Sequence, residues 1–208
     1  MFDFKKVFKV EYAPDQQPQI IKIPKIKYLA VSGMGDPNQE DGEYQKSIEL
    51  LYPIAYGLKM SYKTDYKIEN FIEYVVPPLE GLWWIPNLKG MDYQRKHELR
   101  FISLLRLPDF ITIKHVEDLK AIISKKKKMD FSKVEYFEYD EELCVQMLHI
   151  GPYDSEPETV EKMHVFMDKE GYTLDFSERM HHEIYLSDPR KTSMDKLKTI
   201  IRHPIKRK

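Results

Sequence analysis

One order of elements occurs twice in this chain. Strand, glycine turn carrying an aspartate, helix and strand run through residues 28–76 and again through 144–187. Gly35-Asp36 corresponds to the turn from Gly151 to Asp154, and the strand Phe71–Val76 takes the place of His182–Ser187. Each unit carries an apolar helix stripe that has to be buried against strands, which restricts the possible architectures. The expected fold is α+β. Two β-α-β-β pseudo-repeats, about 20–107 and 133–190, form an antiparallel sheet with helices on one face and a ligand groove between the repeats. Residues 1–19 read as an N-terminal arm and 20–208 as one domain.

Composition narrows the class. The 208 residues suffice for a genuine core, and 42% apolar with 32% charged residues is ordinary for a globular chain. The formal net charge of −1 gives no global pull toward nucleic acid or an anionic membrane. A single cysteine, Cys144, excludes an intramolecular disulfide and a cysteine-rich zinc site. It lies in an apolar run and reads as a small buried hydrophobe. The N-terminus lacks a secretory signal, and no apolar run approaches the length of a membrane span. The expected location is cytoplasmic. Tyrosine is abundant, at 14 residues, which suits cores and pockets that need an apolar body with a polar tip.

The remaining elements follow from periodicity. Residues 20–33 are strand-like. Tyr44, Ile48, Leu51, Ala55 and Leu58 recur at helical spacing, and Pro53 within them is expected to kink or divide the helix. Strands are predicted at 69–76, at Gly81–Ile85 and at 98–107. A helix opens at Asp109 or Thr112 and ends in the Lys125–Lys128 run, which suits the negative end of its dipole. Residues 133–139 and 142–150 read as a hairpin across Asp140-Glu141. Ser155 and Glu158 read as a capping box with Pro157 in the first turn, and Gly171 closes that helix. Thr192–Ile201 has a short helical pattern.

The strand beginning at His181 carries the most suggestive chemistry. Alternation puts His181, Glu183 and Tyr185 on one face and His182, Ile184 and Leu186 on the other. Glu183 thus lies between two hydrogen-bond donors. The bland alternative is a solvated polar face. Trp83 and Trp84 are adjacent, so only one can face a central groove, and Glu80 precedes them. The seven histidines show no metal pattern, and nucleotide-binding, serine-hydrolase and zinc-protease motifs are absent. No cofactor and no metal site is expected.

Several segments taken in order resemble the GyrI-like small-molecule-binding domain family. They are Val31–Asn38, Leu51–Tyr56, Leu79–Trp84, Leu105–Phe110, His149–Tyr153 and His182–Pro189. The resemblance implies a hydrophobic ligand groove between two β-α-β-β repeats and places Glu183 at the family's pocket glutamate. It also implies a small hydrophobic aromatic ligand. Because residues 1–19 are too short for a helix-turn-helix domain, direct nucleic-acid binding is not expected; membrane association is not expected either, for want of a long apolar run, and the oligomeric state is left open. The Leu-Trp-Trp segment is similar to a standalone subset associated with hydrolysis of cyclopropanoid alkylating compounds. On that reading Glu183 is a general base and Tyr185 a proton donor, while Trp83, Trp84, Tyr56, Tyr153, Glu80 and His149 serve the ligand. The alternative is a non-catalytic module that sequesters cationic drugs, or a gyrase-inhibitor-like interaction protein.

Overall fold

The run Ile26–Met34 shows how the molecule is layered. Its Tyr28 and Ala30 enter one buried cluster and its Leu29 and Val31 another, so the strand is covered on both faces. Such continuous apolar runs mark strands buried on both sides. The computed structural model describes residues 1–92 and 94–208. Its strands are β1 (Gln19–Ile23), β2 (Ile26–Met34), β3 (Leu79–Trp84), β4 (Arg100–Arg106), β5 (Glu135–Tyr139), β6 (Glu142–Ile150), β7 (Tyr172–Leu174), β8 (His181–Tyr185) and β9 (Lys198–Arg207). The α-helices are α1 (Phe4–Val7), α2 (Lys9–Tyr12), α3 (Glu43–Met60), α4 (Ile113–Lys127) and α5 (Glu156–Lys169). None is long and apolar enough to cross a membrane among the described residues.

The strands form one antiparallel sheet in the order β1-β6-β9-β8-β3-β4-β2-β5, with β7 added to β9. Two units are evident in that order. β2, α3, β3 and β4 make the first; β6, α5, β8 and β9 make the second. They meet where β3 pairs with β8, at Gly81↔Glu183. The α+β architecture of two β-α-β-β repeats is therefore present. Helix α3 packs Leu51, Ile54 and Leu58 onto Leu29, Val31 and Leu105, and α4 joins it through Val116 and Leu119. Each such fully buried aliphatic side chain contributes about 1.5–3 kcal/mol of transfer free energy. Helix α5 sets Met163 and Met167 against Val145, Met147 and Ile201. The register puts both helices on the face that carries Glu183.

The other face curls around its own core. Ile21 and Ile23 of β1 share a cluster with Tyr28 and Ala30 of β2, although these strands lie near opposite ends of the sheet order. Residues 1–19 fill the mouth of this hollow. Phe4 and Tyr12 are buried there against Ile184 and Ile200.

Several expected elements differ. Residues 69–76 make only a single bridge, Phe2↔Tyr74, and no strand. Both edges of β3 are already taken by β4 and β8, and Pro77-Pro78 offers no donors. The place opposite β8 thus belongs to β3. The 133–150 hairpin does not form, because β5 pairs with β2 while β6 pairs with β1 and β9. The connecting Glu141 is held inside by His182 and Arg202, and no glycine supplies a tight hairpin turn. The tail is a long strand, β9, preceded by one 3-10 turn at Met194–Lys196. Its Ile200 and Ile201 are buried on opposite faces, a use that strand geometry allows and a one-sided helix does not. Pro53 leaves α3 undivided, the flanking Leu51 and Ile54 being fully buried. The expected capping box at α5 is absent: Ser155 Oγ donates to the Pro152 carbonyl instead.

Candidate functional site

The β3–β8 seam brings three rows of side chains under α3 and α5. Gly81 lies opposite Glu183, Trp83 opposite His181, and Leu79 opposite Tyr185. A glycine is required at 81: a Cβ there would stand 2.6 Å from Trp83 Nε1 and 3.1 Å from Tyr185 Oη. In the space it leaves, Trp83 Nε1–H donates to Tyr185 Oη at 3.0 Å. Tyr44 of α3 packs on Trp83, ring centroids 5.1 Å apart, and Phe101 closes the far side at 5.5 Å. Tyr153 meets Tyr185 edge-on at 6.1 Å.

Beside these rings lies a pair of buried carboxylates. Glu156, the first residue of α5, and Glu183 each bring a carboxylate oxygen within 4.8 Å of the other and of a His181 ring nitrogen. Glu183 Oε1 accepts from His181 Nε2 at 2.8 Å. Glu156 Oε1 has no hydrogen-bond partner among the described residues. No Lys or Arg there forms an ion pair with either carboxylate. Burial, together with the negative charges of Glu183 and Asp154, pushes the Glu156 pKa well above the usual carboxylate range. Burial also raises Tyr185, with Glu183, Tyr44 and Glu156 acting in the same direction. Tyr153 is pushed up to about 12, mainly by burial. The cluster therefore sets two buried carboxyls among hydroxyl, indole and imidazole groups that can donate hydrogen bonds. Glu156, His181 and Glu183 are a donor set a divalent ion accepts. However, the His181 nitrogen that faces Glu183 is engaged in a hydrogen bond, which makes it the N–H side rather than the lone pair.

The residues expected from sequence divide between the two faces. Glu183, Tyr185, Trp83 and Tyr153 come together. His149 lies on the same face, in the row of Tyr185 two strands away, but is consumed by Thr159 Oγ1 at 2.8 Å and the Pro152 carbonyl at 3.0 Å. Tyr56 does not join them: it is half-exposed on α3 and stacks on Tyr52. Glu80 and Trp84 are on the opposite face by strand alternation. Glu80 accepts from Tyr12 at 2.8 Å and pairs with His182 at 3.0 Å. Trp84 lines a cleft of about 410 Å³ with Gly90, Phe176 and Met180, and Trp83 forms part of its wall. Cys144 is buried in the curled core, where burial raises its thiol pKa and keeps it inert. Glu156, Tyr44 and Gly81 were missed from sequence. Glu156 is the acidic first residue of a helix that opens immediately after the second glycine turn, and the repeat puts that helix over the seam.

The arrangement of paired β-α-β-β units has a counterpart among known families. The family model for the GyrI-like small molecule binding domain matches residues 16–206. This chain is a GyrI-like protein. An uncharacterized conserved protein from Listeria innocua is 44% identical, covers 99% of this chain and 100% of its own, and superposes with a TM-score of 0.93. A hydrolase from Listeria innocua is 42% identical over 99% of this GyrI-like chain and 100% of its own, with a TM-score of 0.90. The C-terminal domain of EcmrR shares the fold alone, at 14% identity, a TM-score of 0.53, and coverage of 92% of this chain and 98% of its own. No curated protein matches it.

Proposed function

We propose that this GyrI-like protein binds a planar aromatic electrophile against Trp83 and hydrolyses it, with a cyclopropanoid as the substrate class. The observation that carries the reading is the placing of two buried carboxyls side by side, Glu183 held by His181 and Glu156 without a partner among the described residues, with burial raising the pKa of Glu156. Two carboxyls whose environments separate their protonation states divide the roles of acid and base. The similar Listeria hydrolase, alike over nearly its whole length, supports hydrolysis in general.

The step balances without any further reagent. Glu183 takes a proton from water as its oxygen attacks the strained ring carbon. The ring C–C bond breaks, and its electron pair enters the arene as a phenolate. Tyr185, hydrogen-bonded by Trp83 Nε1–H, gives that oxygen a proton and recovers one from Glu183. Glu156, in its protonated form, donates a hydrogen bond to the ligand. Positioned acid–base catalysis of this kind supplies roughly 10²–10⁴-fold, enough for a substrate already activated by ring strain.

The experiment is incubation with a cyclopropanoid and product analysis by mass spectrometry. Gain of one water, faster than in buffer, is the expected result. Recovery of unreacted compound bound to protein would overturn hydrolysis. Because no step passes through a metal, dialysis against a chelator is expected to leave turnover unchanged. Activity lost on chelation and restored by one divalent ion would overturn that part.

A further inference from the structure

A line of three imidazoles runs from Glu183 away from the ligand rings. His181 Nε2 lies 2.8 Å from Glu183 Oε1. On the other side of its ring, His181 Nδ1 lies 2.6 Å from His203 Nε2. The next link is His203 Nδ1 to His164 Nε2, at 2.8 Å. His181 is on β8, His203 on β9 and His164 on α5, so three elements converge to make the line. Phe176 packs edge-on against His203, ring centroids 5.1 Å apart, and shields the middle link. His181 and His203 are buried, whereas His164 is only half-buried and its Nδ1 lies at the outer end.

Each link joins one ring nitrogen to one acceptor, and His181 and His203 each use both nitrogens. That is the bonding of neutral imidazole, which has one N–H and one lone pair. A single polarity then runs through the line: His164 Nε2–H to His203, His203 Nε2–H to His181, and His181 Nε2–H to Glu183. Burial lowers the His203 pKa well below the ordinary value, and the neighbouring His181 and His164 add to this. Burial likewise lowers His164, against the opposing charge of Glu161 on its own helix. Among the described residues, the charged groups near the line include Glu183 and Glu156 at the inner end and Glu161 at the outer. A structural role alone would be met by one histidine satisfying Glu183. Two further imidazoles in register, ending at the surface, are not needed for that.

We propose that His181, His203 and His164 form a proton wire that exchanges a proton between solvent and the buried Glu183 while a ligand closes the seam. A proton arriving at His164 Nδ1 displaces the Nε2 proton to His203 Nδ1. His203 passes its Nε2 proton to His181 Nδ1, and His181 passes its own to Glu183 Oε1. One proton enters, Glu183 is neutralised and every ring has changed tautomer; the reverse passage restores the starting state. No ring flips and no co-reactant is required. The wire rests on the reading of Glu183 as the working carboxylate, and holds whether Glu183 activates water or receives a cationic ligand.

The test is a stopped-flow pH jump followed by Trp83 fluorescence in a Trp84→Phe background. Trp83 reports on Glu183 through the Tyr185 hydroxyl. His203→Phe, which keeps a ring against Phe176, is expected to slow the relaxation by about a hundredfold, the low end of what a positioned proton-transfer group supplies. His164→Ala is expected to slow it similarly, with free imidazole restoring the rate. Since His164 is half-buried, this variant stays informative if His203→Phe does not fold. Wild-type relaxation rates in His164→Ala would overturn the wire. Glu183→Gln is expected to abolish the amplitude, and an amplitude that survives would overturn Glu183 as its terminus. In ¹⁵N-histidine-labelled protein, through-hydrogen-bond couplings between His164 and His203 and between His203 and His181 are expected; their absence would also overturn it. An intact relaxation with no cyclopropanoid product would remove hydrolysis and leave the wire standing.

Discussion

Glu183→Gln is expected to reduce the rate of cyclopropanoid ring opening by roughly 10²–10⁴-fold, the range attributable to a positioned general base. The substitution keeps the side-chain volume and an oxygen that can still accept from His181 Nε2, so the fold is expected to survive. What is lost is basicity: an amide cannot take a proton from water. The expected signature is a fall in kcat with KM nearly constant, because the proposed reading gives ligand contact to the rings of Trp83, Tyr44 and Tyr153. Single-turnover absorbance kinetics, with circular dichroism as the folding control, measure it. Unchanged turnover in a folded variant would sink the role. The same variant separates the two uses of a buried carboxylate. If Glu183 serves as a counter-charge, calorimetry with a cationic dye will show the affinity falling while a neutral planar compound binds as before.

Much of this site was legible because strand alternation is strict. The faces of His181–Leu186 follow from period two alone, and they put His181, Glu183 and Tyr185 together before any coordinates are known. Alternation also required the two tryptophans to part, although it could not say which one meets Glu183. Pairing decided that: Trp83 shares the row of His181, and Trp84 does not. What was not legible depends on partners distant in sequence. The strand at 69–76 has the right composition but no free edge to join. The tail looks helical by spacing, yet its apolar residues are needed on both faces of a central strand. Glu156 could not be recognised, since an acidic residue in a first helical turn is ordinary and only the seam beneath makes it buried. Glu80 was misplaced for a simpler reason. Sequence shows that it and Trp83 lie on opposite faces, but not that the curled face holds a polar network of its own.

That network carries the largest expected effect on stability. His182 stands between two carboxylates, Glu141 Oε1 at 2.9 Å from Nδ1 and Glu80 Oε2 at 3.0 Å from Nε2. Arg202 reaches Glu141 Oε2 at 3.0 Å, Gln146 Oε1 at 2.9 Å and the Glu11 carbonyl at 2.6 Å. Tyr12 of the N-terminal arm closes on Glu80. Beside this network Glu11 also pairs with Arg106, whose guanidinium lies over the Phe8 ring at 4.2 Å. The arm, both edges of the seam and the Asp140-Glu141 connection therefore depend on one set of charges. Glu141→Gln removes the anion shared by His182 and Arg202 and leaves two buried cations facing one carboxylate. Breaking a buried pair in this way costs about 3–5 kcal/mol, which at an m-value of about 2 kcal/mol/M moves the urea midpoint down by roughly 2 M. A shift under about 0.5 M would show that the arm and seam are held by packing instead. The pH dependence follows from the same contacts. Burial alone would lower His182, but Glu141 and Glu80 outweigh it and raise the imidazolium to about 9. Its contribution is fully present below the ordinary histidine pKa near 6.5 and is lost as pH rises through about 9. Burial alone would raise Glu141, but His182 and Arg202 outweigh it and hold the carboxyl at about 2. Its contribution is fully present above the ordinary value near 4.5 and is lost as pH falls through about 2. The network's own contribution to the unfolding free energy should therefore be fullest between about 4.5 and 6.5. In Glu141→Gln the acid limb should flatten, because the group that titrates there is gone, and the alkaline limb, which still begins near 6.5, should be shallower and end at lower pH, because His182 then has one carboxylate instead of two.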